Sequence, residues 1–493
     1  MPSRRGIAVA VSLVLLPALA LVGCSAAGAS QNASSAAVSD ASAASALWDA
    51  SSVHDIDLEV DETALQEALT TYAQTGEKVW IEAAVTIDGV RFEQVGLKLK
   101  GNSSLREVTA DTDPATIPWR IRLDKYVDGQ SLDGETDLVV RGNSSATSLN
   151  EAVALTLLDA AGLASQSAIS TSFSVNGGTP QLRLVIQNPN DAWAADQLGA
   201  GTLLYKSEAE GSWDYVGDDP ADYVASFEQE AGDEDYTPLI AFLDFVNNSD
   251  DATFAAELGD HLDVDAFATH LAFQDLVGNT DDIDGPGNNS YLSYDASTGL
   301  MTVVNWDLNL AFGGMPGGGF GGGAGGFAPG GTAPDGTAPD GTTRGGTAPG
   351  GTAPEGTMPD GTVPDGTVPG GGMPGGAGGF TPPEGFTPPE GVELPEGAFP
   401  GGGAQPGGGF GGAGGPSGGN ILAERFTANA EFQALVDAAA DRLQQQLVDS
   451  GTAAEILDAW TTTLLGGAGD LVTADTVRSD AASIAQALGI STS

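Results

Sequence analysis

Two segments near the middle of the chain decide its fold, NTDDIDGPGNNSYLSYD at residues 279–295 and NWDLNLAFGG at residues 305–314. The first is an acidic loop that leads through an Asn pair into a run of strand-forming residues. The second begins where another apolar run, Val303-Val304, ends, and it places Asp307 just after that run. Such runs, bounded by Gly, Pro, Asn and Asp, are typical of strands. No other part of the sequence places carboxylates, amides and strands so close together, so the two segments predict a chemical site.

The spacing within these segments indicates phosphoryl transfer. Asp284 precedes Asn289 by five residues, the interval that separates the catalytic Asp from a metal-binding Asn in protein kinases. Asp307 follows a strand that we expect to be buried, where a carboxylate is costly unless a metal or hydrogen bonds compensate it. It corresponds to the Asp of the kinase Asp-Phe-Gly motif, so Asn289 and Asp307 are predicted ligands of Mg²⁺ or Mn²⁺.

Several motifs, in the right order, resemble the spore-coat-protein-H (CotH) kinase-like family. NNSYLSYD and NWDLNLAFGG carry the resemblance, and VGLKLKGNSSL, PWRIRLDKYVDGQ, SLNEAVALTLLDAAG and GTLLYKSE extend it upstream. It covers residues 46–312 and resumes from 420 to about 488. The family consists of atypical kinases, some of which phosphorylate proteins. The resemblance therefore implies a chain that binds ATP and Mg²⁺ and transfers phosphate to a protein acceptor.

The resemblance leaves two candidates for the catalytic Asp. Asp281 stands in Asn279-x-Asp, which resembles the family motif directly, whereas Asp284 has the kinase spacing. The Gly-Pro-Gly at 285–287 resembles a small insertion that would displace this spacing. Asn309 departs from the commoner family form, which has Asp there and so offers the metal a second carboxylate. Both Asp281 and Asp284 stay open.

The cation that would meet the phosphates is also open. In kinases a strand Lys pairs with a Glu from the next helix, and the resemblance gives Glu151 this position. Arg122, on a preceding strand, is the first candidate for the cation, with Lys100 and Lys206 behind it. Glu151 has a second explanation, because it stands three residues after Ser148 at a predicted helix start and would complete a capping box.

The order of predicted elements favours an α+β fold with two lobes, like that of a protein kinase. Strands dominate the first part, including a hairpin at Asp88-Gly89. After the strand at 203–206 the pattern turns helical, through 239–246 and 264–277. We expect a mainly β N-terminal lobe and a mainly helical C-terminal lobe within residues 46–312. Helical spacing returns in 420–493, which is predicted to complete the helical lobe.

Residues 313–419 interrupt this domain with a Gly/Pro-rich segment. It holds 43 of the 71 Gly and 18 of the 27 Pro residues, and a loose Gly-Thr-Ala-Pro-Asp repeat runs through it. Such a segment buries too little apolar surface to offset the entropy of ordering the chain. It is predicted to be a disordered insertion.

The N-terminus has the features of a bacterial lipoprotein signal. Arg4 and Arg5 precede an apolar stretch, and Leu21-Val22-Gly23-Cys24 is typical of a lipobox. Residues 1–23 are predicted to be the signal peptide, Cys24 the lipidated residue, and 24–45 an Ala/Ser-rich tether. We therefore expect the protein on the extracytoplasmic face of the cell membrane. Since Cys24 is the single Cys, an intramolecular disulfide and a Cys-based zinc site are excluded.

The charge of the chain excludes one class of partner. Seventeen basic residues oppose 67 acidic ones, for a net charge of −50, whereas nucleic-acid binding needs a basic surface. Membrane contact is expected only through the lipid anchor, and the expected partner is a protein substrate or a cell-envelope component. The first functional hypothesis is an atypical kinase. The alternative is a catalytically inactive kinase-like scaffold or adhesion protein, which the scarcity of free ATP outside a bacterium favours.

Overall fold

The computed structural model describes residues 46–209, 211–283, 289–313 and 420–491. The predicted signal peptide, Cys24, the tether, Asp284 and residues 314–419 of the Gly/Pro-rich insertion lie outside these ranges. Among the described residues, no helix is both long enough and apolar enough to span a bilayer. The fold is mixed, with a β-rich N-terminal part and a C-terminal part dominated by helices.

Seven strands of the N-terminal part close into a barrel. They are β1 (His54–Val60), β2 (Ile81–Ile87), β3 (Val90–Leu99), β4 (Trp119–Arg122), β5 (Asp137–Val140), β6 (Ala168–Val175) and β7 (Gln181–Gln187). Their order around the barrel is β1-β2-β3-β4-β5-β7-β6. The β1–β6 pair that closes it is parallel, and the other neighbours are antiparallel.

Alternation along each strand builds the barrel core. In β1, Ile56 and Leu58 are at most 1% exposed, while the acidic residues that alternate with them, Asp55, Asp57 and Glu59, are exposed. This is the period of two that places successive side chains on opposite faces of a sheet. The predicted hairpin at Asp88-Gly89 is confirmed, with φ values of 47° and 83°, which a tight turn of this kind requires at both positions.

A second sheet has four antiparallel strands in the order β11-β10-β8-β9. They are β8 (Leu203–Ser207), β9 (Phe227–Ala231), β10 (Ser290–Asp295) and β11 (Leu300–Asn305). β9 lies between the strand predicted at 203–206 and the helices predicted at 239–246 and 264–277, and the sequence analysis did not predict it. This edge strand buries only Phe227 and Ala231 at its two ends and carries polar residues between them. A half-exposed edge strand gives too little apolar alternation to be recognised.

Ten α-helices occur among the described residues. They are α1 (Glu62–Thr75), α2 (Leu149–Ala160), α3 (Asp191–Gln197), α4 (Thr237–Asn248), α5 (Asp251–Glu257), α6 (Val264–Val277), α7 (Ile421–Ala428), α8 (Ala430–Leu443), α9 (Thr452–Gly467) and α10 (Ala474–Ala487). A π-helical segment, Gln444–Asp449, continues α8. The helices after residue 420 pack on the earlier ones. Phe426 meets Phe267 with ring centroids 4.9 Å apart, and Trp460 Nε1 donates to Thr156 Oγ1 of α2 at 2.9 Å.

Candidate functional site

One buried arginine joins the barrel to the second sheet. Arg141 follows β5 directly, and its Nε lies 2.8 Å from Glu151 Oε1 on α2. Its Nη2 donates a hydrogen bond to Asp307 Oδ1, just beyond β11. Arg141 is 7% exposed and Glu151 is 3% exposed. Because a buried charge is stable only when it is paired, these three residues form one electrostatic unit, which we call the ion triad.

The backbone on both sides of the ion triad is fixed. Arg141 N donates to Leu184 O at 2.8 Å, and Arg141 O accepts from Arg183 Nε at 3.0 Å. Asp307 adopts a left-handed conformation with φ of 65°, which is uncommon for a residue with a side chain. Such strain persists only where the surroundings impose it and clusters at functional sites. The direction of the Asp307 carboxylate is therefore set by the fold rather than by local preference.

Glu151 does not form the capping box that its spacing from Ser148 suggested. Ser148 has a left-handed conformation, with φ of 53°, and its side chain makes no hydrogen bond to the start of α2. Thr147 Oγ1 accepts from the Leu149 backbone N–H instead, at 3.3 Å. The Glu151 carboxylate pairs with Arg141 instead. In this buried site an ion pair stabilises the carboxylate more than a hydrogen bond to the helix N-terminus would.

The acidic loop reaches the ion triad through Asp281. Burial raises the pKa of Asp281, and the nearby charge of Asp307 raises it further, while a hydrogen bond from Asn289 lowers it. Asn289 Nδ2 also donates to the Asp281 backbone carbonyl at 2.7 Å. The structure thus brings together Asp281, Asn289 and Asp307, which the sequence singled out. Asp284, the other candidate, lies outside the described residues.

The remaining predicted cations lie at different places. Arg122 pairs with Asp124 at 2.8 Å, and its side chain is 42% exposed. Lys206, on β8, pairs with Glu208. Neither makes a hydrogen bond or ion pair to the ion triad among the described residues. The cation beside Glu151 and Asp307 is Arg141, which the sequence analysis did not single out. Its position directly after the strand that precedes α2 was the available signal, since the paired cation of a kinase also lies on the strand before the helix.

A second cation, from the barrel, lies against Trp306, the residue before Asp307. Lys100, the residue after β3, has its Nζ 5.4 Å from the centre of the Trp306 ring, and the Arg141 guanidinium lies 5.5 Å from the same ring. Burial lowers the pKa of Lys100 to about 8. Lys100 and Arg141 therefore both lie within the range of cation–π attraction to the indole of Trp306.

The model of the CotH kinase protein family matches residues 97–340. The chain belongs to the CotH family. The CotH match begins within β3 and includes the whole ion triad and the acidic loop. No curated protein matches the chain.

A CotH chain with these donors fits a metal shared with phosphates better than a closed metal centre. Among the described residues, no cluster of three or more His, Cys, Asp or Glu side chains could hold an ion. Asp307 and the Asn289 amide offer one carboxylate and one amide oxygen. Mg²⁺ is commonly held by one or two carboxylates, with water and substrate phosphates completing its shell. The charge of Asp307 raises the pKa of Asp281, and a cation near both would relieve this repulsion.

A chain of buried amides supports the two loops that carry Asp281 and Asp307. Gln274, on α6, accepts from Asn279 Nδ2 at 2.9 Å and donates to Asn305 Oδ1 at 2.7 Å. All three residues are at most 5% exposed. Asn279 stands two positions before Asp281, and Asn305 two positions before Asp307. Gln274 therefore links the two loops that carry the carboxylates of this CotH site.

Proposed function

We propose that the chain is an atypical protein kinase that binds ATP with Mg²⁺ or Mn²⁺ and transfers the terminal phosphate to a hydroxyl of a protein acceptor. The observation that carries the proposal is the ion triad. A cation at the end of a strand, a Glu on the following helix and an Asp after a later strand are the parts with which protein kinases hold the phosphates and their metal. Membership of the CotH family supports the same reading.

Each residue has a role that follows from its surroundings. Arg141 would neutralise phosphate oxygens, and Glu151 would hold the guanidinium in place. Asp307 and Asn289 would hold the metal, which supplies charge neutralisation on the phosphates when bound. Asp281 would accept the proton of the acceptor hydroxyl, with Asp284 as the alternative. Catalysis of this kind depends on positioning and electrostatics rather than on covalent chemistry.

The Asp307 carboxylate has one oxygen available for a metal. Its described hydrogen bonds, from Arg141 and from the Asn309 backbone N–H, both end at Oδ1. The side chain is 22% exposed, and no described hydrogen bond ends at Oδ2. Arg141 can therefore bind one oxygen of the Asp307 carboxylate while a metal binds the other.

The hydrophobic cores support a two-lobed, kinase-like arrangement. One apolar cluster fills the barrel, and a second fills the helical part together with the β8–β11 sheet. The ion triad lies where elements of both clusters meet, because Arg141 extends from a barrel strand and Asp307 from the second sheet. In kinases the nucleotide binds between two such lobes.

The proposal is tested by incubating the purified protein with ATP labelled at the γ-phosphate, Mn²⁺ and a panel of envelope proteins. Label should enter a protein acceptor, or the chain itself, and Asp281→Asn or Asp284→Asn should abolish the transfer. If one of the two variants still transfers label, the Asp that it replaces is not the catalytic residue.

The alternative function, a scaffold without catalysis, rests on a specific observation. Asn309 departs from the Asp that the family resemblance led us to expect, and its backbone carbonyl accepts from Ser144 Oγ at 2.6 Å and from Asn150 Nδ2. These hydrogen bonds fix the loop, and the amide side chain of Asn309 offers the metal no second carboxylate. Under this alternative the protein binds a protein, glycan or cation and leaves ATP unchanged. We further propose, from residues 1–24, that lipid on Cys24 anchors either form to the outer face of the cell membrane.

A further inference from the structure

A concentrated basic surface stands on this strongly acidic chain. Six of its 17 Lys and Arg residues lie on or beside the outer side of β3 and β4, and we call them the basic face. They are Lys78, Lys98, Lys100, Arg120, Arg122 and Lys125. Burial lowers the pKa of Lys78, and the charges of Lys206 and Lys98 lower it further, while those of Glu208 and Glu228 raise it, so carboxylates as well as cations lie near this surface.

The basic face brings like charges opposite each other. Lys98 on β3 is the direct partner of Arg120 on β4 in the antiparallel register. Directly opposed like charges destabilise a strand pair. Acidic residues are four times as numerous as basic ones in this chain, so opposite charges for this position are abundant in its composition. Arg120 is itself paired with Asp137 and lies 4.0 Å from Glu230, so the charge left for an anionic ligand is that of Lys98 and the neighbouring amines.

Trp80 organises the centre of the basic face. Lys125 Nζ, Lys98 Nζ and the Arg120 guanidinium lie 5.1, 5.2 and 5.8 Å from its ring centre. Gly96 makes room for this packing, because a Cβ there would stand 2.5 Å from Lys125 Cγ and 3.0 Å from the indole. The cations are therefore held by packing, and their charges lie side by side.

Three of the amines form no direct ion pair among the described residues, and Glu230 is the carboxylate whose charge acts most strongly on one of them, Lys100. Arg120 is paired with Asp137 at 2.6 Å, and Arg122 is paired with Asp124. In the described part of the chain, Lys98, Lys100 and Lys125 form no ion pair and lie instead against the rings of Trp80 and Trp306. An ammonium group on an aromatic face keeps donors available for a further ligand.

The basic face continues from the candidate site. Lys100 contacts the ring of Trp306, the residue before Asp307. From Lys100 to the level of Gly96, where Lys125 packs, β3 runs for about 13 Å at roughly 3.3 Å per residue. A row of this length suits several phosphates in sequence better than one isolated anion.

We infer that the basic face binds a linear chain of phosphates along Lys100, Lys98 and Lys125. Two sources share this chemistry, the triphosphate of a nucleotide and inorganic polyphosphate. The nucleotide source rests on the function proposed above, whereas binding of the phosphate chain itself does not.

The test is calorimetric titration of the full-length protein with inorganic tripolyphosphate, without divalent metal and at low ionic strength. The wild type should bind, and its affinity should fall as salt is added. The double variant Lys98→Gln, Lys125→Gln should bind at least about tenfold more weakly, as expected when charge-assisted hydrogen bonds are lost. The matched control is Arg91→Gln, Arg478→Gln, which removes the same charge from exposed positions elsewhere and should change affinity by less than about threefold.

Further titrations identify which phosphate compound binds the basic face, and they separate this inference from the kinase proposal. Weaker binding of Mg²⁺-ATP by the Lys98, Lys125 double variant assigns the basic face to the nucleotide, whereas tighter binding of long-chain polyphosphate than of ATP assigns it to the polymer. Binding of tripolyphosphate without binding of Mg²⁺-ATP sustains this inference and removes the kinase proposal. Equal affinities for tripolyphosphate in the double variant and the control overturn the inference, and so does equally tight binding of poly-glutamate.

Discussion

Arg141 and Asp307 are 166 residues apart in sequence and are joined by a hydrogen bond from Nη2 to Oδ1. The same guanidinium holds Glu151, so one buried cation serves two carboxylates from different elements. A buried ion pair contributes little net stability when complete, but removing one partner leaves an uncompensated charge. The ion triad therefore couples the stability of the fold to the geometry of the candidate site.

Removing the cation of the ion triad should destabilise the protein strongly. Arg141→Met should lower the free energy of unfolding by about 3–5 kcal/mol, because two carboxylates then lose their partner. Urea unfolding measures the change. Arg91→Met is the matched control, since Arg91 pairs with Glu59 at the surface, and it should cost less than about 1 kcal/mol. Equal losses in the two variants would show that the triad is not a buried electrostatic unit.

The amide bridge of Gln274 should control the order of the acidic loop. Gln274→Leu leaves the Asn279 amide N–H and the Asn305 carbonyl without partners, at a cost of roughly 1–3 kcal/mol for each buried group. Amide hydrogen exchange at 279–283 should accelerate by about tenfold or more. Gln433→Leu removes an exposed amide contact to Asp437 and should leave the exchange of this loop unchanged. Slow exchange of the loop in Gln274→Leu would refute the bridging role.

Stability should depend on pH through His270, which is 1% exposed. Burial lowers the pKa of His270 from 6.5 to about 4, so the unfolded chain binds a proton at this residue between these values and the folded chain does not. The free energy of unfolding should therefore fall as pH drops from 6.5 towards 4, by about 3 kcal/mol at ~1.36 kcal/mol per pH unit. His270→Leu should lose this component, as chemical unfolding across the range would measure. Identical pH profiles for the variant and the wild type would contradict it.

The lipid anchor can be tested separately from the site. Cys24→Ala should release the protein from washed membranes into the soluble fraction, because a lipid-anchored chain is held there by the acyl groups on this Cys. Immunoblots of the two fractions measure the change, and Ser25→Ala serves as the control. Retention of the Cys24→Ala protein in the membrane would contradict lipidation at Cys24.

Much of the architecture follows from local patterns in the sequence. The Asp88-Gly89 turn identified the β2–β3 hairpin, since this signal lies within a few residues. The edge strand β9 was missed because only its two ends are buried. Closure of the barrel by the parallel β1–β6 pair depends on residues more than a hundred positions apart, and no local pattern encodes it.

Some residues of the candidate site could likewise be predicted from local sequence, and others could not. Asp307 and Asn289 stand out because each adjoins a recognisable strand, and the resemblance to a family ordered them along the chain. Arg141 was overlooked as a cation because its partners come from α2 and from beyond β11. The capping box failed for a related reason. Spacing from Ser148 is a local signal, whereas the use of Glu151 is decided by an arginine that folding brings to it.

The most direct measurement is calorimetric titration of Mg²⁺-ATP into the wild type, Asp307→Ala and Asp281→Ala. The kinase proposal predicts binding by the wild type that requires the divalent metal, and no binding by Asp307→Ala, which lacks the metal-holding carboxylate. Asp281→Ala should keep most of the affinity, since it addresses the acceptor rather than the nucleotide. Failure of the wild type to bind ATP with either Mg²⁺ or Mn²⁺ would contradict the proposal and leave the scaffold function in its place.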